Sequence, residues 1–428
     1  MSLLSVFDDK QTAQQAVSGD LRIEVSTEVI DVINREFPPA LLQRPNEIER
    51  QRVAERIASL VTQALRRRSA NPGQGFEVEL AGELARRLMG LGFLDLLLPP
   101  SRNDLSEITV YSSGLVQIMR KGEVRWETIP MRPQAEEVER VLDRLLGPQN
   151  KSLNETNPSV NAKLPRTEDN PGGGRVKALH RVITPPGRNH SINIRLYEQK
   201  PVLPEWLIER QALSADMMDT LRRGMASGQR ILITGGTRTG KTTLLSAICN
   251  FLPPAWRVLK IEDPEEIWIA RDTVQTIEAR PRAVGTEVQP YTLADGVDDA
   301  MRMSPDYLII GEVRDGRAAQ ALFRAMMTGH SGACTFHADS PREAASRLAT
   351  IMGADAGVRK VDANQMVADS VDMLVQIGIR HEKRCVTTIA QIARELRGGD
   401  VWFDPLWQYD ETSQPGAPRW EKLAELEE

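Results

Sequence analysis

The chain has 428 residues, too many for one core, and is 41% hydrophobic and 26% charged, the balance of a folded multi-domain protein. Its formal charge of −5 argues against a protein that coats nucleic acid, and three scattered cysteines (Cys249, Cys334, Cys385) without a C-x-x-C pair fit a reducing compartment and no structural zinc. The start Met1–Asp9 lacks the features of a secretory leader, and the most apolar stretch, Leu88–Leu98, is about half a bilayer crossing and is broken by Asp95, so no membrane span and a cytosolic location are expected.

Residues 1–83 read as helical. Asn46 with Glu49 resembles a capping box, and Val53, Ile57, Leu60, Val61, Ala64 and Leu65 recur on one helical face. Arg66-Arg67-Arg68 reads as a solvated helix end rather than a phosphate patch, and Asn71–Gly75 as a loop before a further helix. From 84 to 199 the pattern is that of a small α+β domain. Ile108–Tyr111, Leu115–Met119, Val124–Trp126, Arg175–His180 and Ser191–Leu196 read as strands, and Glu136–Leu146 as a helix. Lys200–Pro204 reads as a linker, because its two prolines fix an extended path. Beyond it, over 205–428, strands at Arg230–Thr234, Arg257–Ile261, Val274–Ile277, Tyr307–Ile310, Gly332–Phe336 and Met373–Ile377 alternate with helices, the pattern of a parallel α/β sheet.

The most specific signal lies at the first of these strands. Gly235, Gly236, Thr237, Arg238, Thr239, Gly240, Lys241, Thr242 and Thr243 form a complete G-x-x-x-x-G-K-T loop between the apolar run Ile231–Thr234 and a helix that starts at the lysine. The glycines let successive N–H groups face a phosphate chain, and the helix dipole adds positive charge there. Lys241 would reach the β- and γ-phosphates of ATP and Thr242 would ligate magnesium. About 20 and 70 residues further on, two strands end in acids: Glu262-Asp263-Pro264 and Gly311-Glu312-Val313-Arg314-Asp315. Acids at such strand ends face the ligand crevice, so Glu262 and Glu312 are candidates for magnesium or water, Glu312 being the one that orients the attacking water. Thr328-Gly329-His330-Ser331…His337-Ala338-Asp339-Ser340 puts two histidines at the ends of one short strand. Zinc is one reading, although no further ligand lies at the right spacing. The other makes His330 a γ-phosphate sensor across the crevice from Glu312.

This set of four motifs resembles the type II/type IV secretion ATPase superfamily, the hexameric motors of pilus assembly, protein secretion and conjugation, in motif order and spacing. The resemblance covers roughly residues 84–380. It implies a RecA-like P-loop NTPase domain preceded by a small PAS-like α+β domain, a homo-hexamer, ATP and Mg2+ as cofactors, and an inner-membrane platform protein as partner. Membrane association would be peripheral, on the cytoplasmic face, with no nucleic acid bound. Leu91–Leu97 and Asn157–Leu164 resemble segments of the tight-adherence (Flp-type) pilus branch, with Asn161 where that branch usually has aspartate. Arg175 and Arg195 match two family arginines that touch nucleotide phosphate; Arg280 and Arg302 resemble further arginine positions. Arg394–Trp402 resembles that branch's C-terminal strands. The four-cysteine zinc insert of many type II secretion relatives is absent. A conjugation-type transfer ATPase is the alternative, ahead of a nucleic-acid motor, which the 5% aromatic content and negative charge disfavour.

Overall fold

The computed structural model describes residues 21–43, 47–70, 75–168, 170–280 and 288–426. Asn46 and Asn71–Gln74, where a cap and a loop are expected, lie outside them. The chain forms two compact units. One comprises the residues up to Ile118 with Glu127–Asn170 and Arg175–Arg195; the other comprises Met119–Trp126, Pro171–Gly174 and the chain from Leu196 onward.

The first unit opens with α1 (residues 21–36), α2 (Pro39–Gln43), α3 (Glu47–Arg67) and α4 (Phe76–Met89). Val25, Val29 and Ile33 recur at helical spacing and close a core with Val53, Ile57, Leu60, Val61, Ala64 and Leu65 of α3 and Leu80 and Leu84 of α4. The arginine run at the end of α3 is not merely solvated. Arg67 and Arg68 each reach Glu28 of α1 at 2.8 Å and tie the two helices together.

A sheet of six strands, among the described residues, follows in the order β3-β2-β1-β6-β5-β4, with β1 Leu105–Val110, β2 Val116–Arg120, β3 Glu127–Ile129, β4 Ser159–Leu164, β5 Gly174–Leu179 and β6 Ser191–Leu196. The helix α5 (Ala135–Leu146) sends Arg144 back to donate to the Leu88 carbonyl at 2.6 Å, closing the end of α4. Two sequence readings change. The third strand begins at Glu127, not Val124, and β4 was not expected. Its Val160, Ala162 and Leu164 are buried while Ser159, Asn161 and Lys163 are exposed, so the period of two is present but carried by few β-formers.

The second unit holds a nine-stranded sheet, among the described residues, in the order β15-β14-β13-β12-β7-β11-β10-β8-β9. The strands are β7 Ile231–Gly235, β8 Val258–Glu262, β9 Val274–Glu278, β10 Tyr307–Val313, β11 Ser331–His337, β12 Met373–Arg380, β13 Lys383–Ile392, β14 Phe403–Tyr409 and β15 Trp420–Lys422. The six from β12 to β9 are parallel, and the last three of the chain add antiparallel rungs at one edge. This is the RecA-like α/β class expected.

Both faces of the sheet are covered. Ile231, Ile233, Tyr307 and Ile309 face one core with α7 (Ala215–Ala226) and α8 (Lys241–Ile248), whereas Leu232, Leu308 and Ile310 face another with α9 (Leu293–Ala300), α10 (Gly316–Met327) and α11 (Pro341–Ala356). That double burial explains the unbroken apolar runs in these strands. Arg394–Trp402 is a turn bridged at Arg397 and Asp400, not a strand. In the expected linker, Val202 is buried in the second unit and Pro204 is the first residue of helix α6 (Pro204–Glu209), where proline's missing N–H costs nothing. None of the described helices is long and apolar enough to cross a membrane.

Candidate functional site

The phosphate loop leaves β7 at Gly235, where a Cβ would stand 2.5 Å from the Ile377 carbonyl of β12, so only glycine fits. Gly240 closes the loop at φ +98 and caps α8. Thr239 Oγ1 donates to the Gly236 carbonyl at 2.9 Å, fixing the turn from inside. Lys241, the first residue of α8, is buried and curls back to donate to the carbonyls of Gly235 and Gly236, both at 3.0 Å. The loop and its lysine are thus assembled by local bonds, with the α8 N-terminus beneath them. Thr242 and Thr243 follow on the first turn, half-buried.

The two acids meet at the same end of the sheet. β8 and β10 pair in register with Ile261 beside Ile310, which brings Glu262 next to Gly311 and Glu312. A Cβ on Gly311 would lie 3.0 Å from Glu262 Cγ, so the glycine before Glu312 leaves room for the Glu262 side chain. Glu262 is 2% exposed. Its Oε1 accepts from the N–H groups of Glu266 (3.0 Å) and Ile267 (2.9 Å). Its Oε2 lies 3.2 Å from Lys260 Nζ, an ion-pair distance without hydrogen-bond geometry. Burial pushes the Glu262 carboxyl up to about 6, against the pull of Lys260 and the two backbone bonds. Glu312 is more open, its Oε2 accepting from Arg314 Nε at 2.7 Å. Arg314 also donates to the Asp263 carbonyl at 3.2 Å and so spans both acidic strand ends.

The histidines exchange places. β11 runs parallel to β7 and β10 with His337 beside Gly235 and Ser331 beside Tyr307. His330 therefore sits at the far end of the strand from Glu312, where its Nδ1 lies 3.3 Å from the Ala325 carbonyl. Within one chain it does not face Glu312 across a crevice. The zinc reading of the pair fails too, since a seven-residue strand separates the rings by roughly 20 Å. Among the described residues, no group of three or more His, Cys, Asp or Glu is placed to hold a metal ion.

His337 is the histidine at the loop. Its Nε2 is 2.7 Å from Thr237 Oγ1, and its Nδ1 is 3.2 Å from Arg347 Nη1 of α11. Because a guanidinium only donates, Nδ1 accepts, and Nε2–H then donates to the threonine. Arg347 reaches on to Glu343 at 3.4 Å. The signal for His337 was in the sequence: it ends the strand, on the side where parallel sheets bind ligands.

Arg175 and Arg195 lie in the first unit, on neighbouring strands β5 and β6. The bond from Tyr197 N–H to the Gly173 carbonyl (3.1 Å) places each arginine two residues in from one rung. Arg280 is held in a bridge to Tyr291, and Arg302 donates to the Asp298 carbonyl at 2.8 Å.

The residues present fit a magnesium nucleotide. The glycine loop sits over the α8 N-terminus with Lys241 Nζ held against it, and the buried Glu262 Oε2 takes no hydrogen bond.

The family model described as type II/IV secretion system protein matches residues 115–399, about two thirds of the chain. An uncharacterized protein of Methanocaldococcus jannaschii is 33% identical over 196 residues, 46% of this chain and 34% of the relative. The conjugal transfer protein TrbB of Rhizobium radiobacter is 27% identical over 290 residues, 67% of this chain and 83% of the relative. The ATPase DotB of Legionella pneumophila superposes with a TM-score of 0.49 at 20% identity, over 72% of this chain and 80% of that one. The chain spans 34%, 53% and 34% of the length of three archaeal relatives that it matches. With the family model spanning both acidic strand ends and the phosphate loop, the chain belongs to the type II/IV secretion system protein family.

Proposed function

We propose that the chain is an ATP hydrolase that works as a hexameric motor of a tight-adherence (Flp-type) pilus or related secretion system, at the cytoplasmic face of the inner membrane. The observation that carries the hydrolase reading is the convergence of loop, Glu262 and Glu312 at the C-terminal end of one parallel sheet. The loop N–H groups and Lys241 bind and orient the triphosphate. Glu312 holds the attacking water and takes its proton, while Arg314 keeps that carboxylate aimed. Magnesium would neutralise phosphate charge, with Thr242, Glu262 and Glu312 the residues that would hold it, directly or through water. His337 steadies Thr237 and so the outer edge of the loop. Arg175 and Arg195 supply cationic donors to the phosphates when the motor closes, as the family resemblance implies.

Two outcomes follow. Because burial raises the Glu262 carboxyl to about 6 in the nucleotide-free chain, kcat/KM should fall as pH drops through about 6. Glu262→Gln should remove that limb of the kcat/KM profile while lowering its plateau. Arg175→Ala and Arg195→Ala should each depress turnover with ring assembly intact, and lysine should restore it only partly, because it lacks the planar fork. Wild-type hydrolysis in both alanine variants would reduce the first unit to a docking module.

A conjugation-type transfer motor is the second reading, favoured by the match along 83% of a conjugal transfer protein. Cross-linking the full chain in its host and identifying the inner-membrane protein captured separates the two. Capture of a conjugation-channel component, with no pilus platform protein, would overturn the pilus reading.

A further inference from the structure

Within the second unit, the segment Met119–Trp126 meets the phosphate loop and its surroundings through three contacts. The guanidinium carbon of Arg238 stands 5.1 Å from the centroid of the Trp126 ring. Arg384 Nη2 donates to the Glu123 carbonyl at 2.9 Å, and its Cδ passes 3.7 Å from where a Cβ on Gly240 would stand. Arg125 pairs with Glu382.

Arg238 is also the loop residue whose backbone is least suited to its type. It sits at φ +63, in the left-handed region, at a cost of about 1 kcal/mol for a side chain with a Cβ. Three loop positions are already glycine, yet arginine stands where a fourth would relieve that cost. Strain of this kind persists where surrounding contacts hold it. The contact described here is the face of an indole, the best aromatic partner for a cation.

We propose that Trp126 is a positioning residue for the nucleotide site: its ring holds the Arg238 guanidinium and thereby orders the phosphate loop before the triphosphate arrives. The proposal rests on the reading of this loop as the ATP site. A loop already ordered loses less conformational freedom on binding, so the pair acts on nucleotide affinity. Trp126 itself need not touch the nucleotide.

The test is calorimetric titration of the full-length chain with magnesium ATP, using Trp126→Leu, Trp126→Phe, Arg238→Gly, and Trp126→Leu combined with Arg238→Gly. Each of Trp126→Leu and Arg238→Gly should weaken binding about two- to fivefold, as expected of a solvent-facing cation–π pair. The double variant should be no weaker than the worse single one, because both remove the same contact. Trp126→Phe should fall between wild type and Trp126→Leu, since it keeps a π face of lesser strength. Arg238→Gly breaks the pair without touching Trp126, so a folding defect in the tryptophan variants leaves the question answerable. Additive losses in the double variant, or wild-type affinity in Trp126→Leu or Arg238→Gly, would overturn the proposal. Lys241→Ala serves as the control. If it too binds like wild type, the ATP-site reading itself fails rather than the pairing alone.

Discussion

Glu312→Gln should lower ATP turnover by about 10²–10⁴-fold, the usual effect of losing a general base, while nucleotide affinity stays within a few-fold of wild type. The amide keeps the shape of the carboxylate but cannot take a proton from water. Arg314 Nε, 2.7 Å from Glu312 Oε2, can still donate to the amide oxygen. Both partners of that ion pair are about a third or more exposed, so its loss should change stability by no more than about 1 kcal/mol. The loss should therefore appear in phosphate release and not in the melting curve. Near-normal turnover in an assembled, folded variant would remove Glu312 from the chemistry.

Lys241→Ala should weaken nucleotide binding about 10- to 150-fold, the worth of a charge-assisted hydrogen bond of 1.5–3 kcal/mol. The lysine is buried at the start of α8 and its Nζ already lies over the loop, 3.0 Å from the carbonyls of Gly235 and Gly236. Arg238 does not replace it, because its guanidinium is turned toward the Trp126 ring. Calorimetry with magnesium ATP measures the effect. Unchanged affinity would show that the triphosphate binds elsewhere.

The parts of the site that the sequence made legible are those written in contiguous residues. An apolar run, three glycines and a lysine specify β7, its loop and α8 without help from the rest of the fold. Glu262 and Glu312 were visible because each ends an apolar strand, and strand ends of a parallel sheet share one edge. What stayed hidden depends on register. Choosing between His330 and His337 requires the direction of β11 against β7, which pairs His337 with Gly235. β4 was missed because its outward residues are serine, asparagine and lysine, which read as a loop. Lys260 gave no sign of its position, since a lysine inside an apolar strand is explained only by Glu262, Glu265 and the Ile267 carbonyl around it. The link from Arg238 to Trp126 spans more than a hundred residues and left no trace in local pattern.

The most direct test of the account is phosphate release by the purified full-length chain supplied with magnesium ATP, followed until many phosphates per chain have accumulated, with Glu312→Gln run beside it. The wild type should turn over repeatedly and stop when magnesium is chelated, whereas release from Glu312→Gln should stay near background. Equal release from the two proteins, or none from a wild-type chain that demonstrably binds ATP and is assembled with its membrane partner, would contradict it.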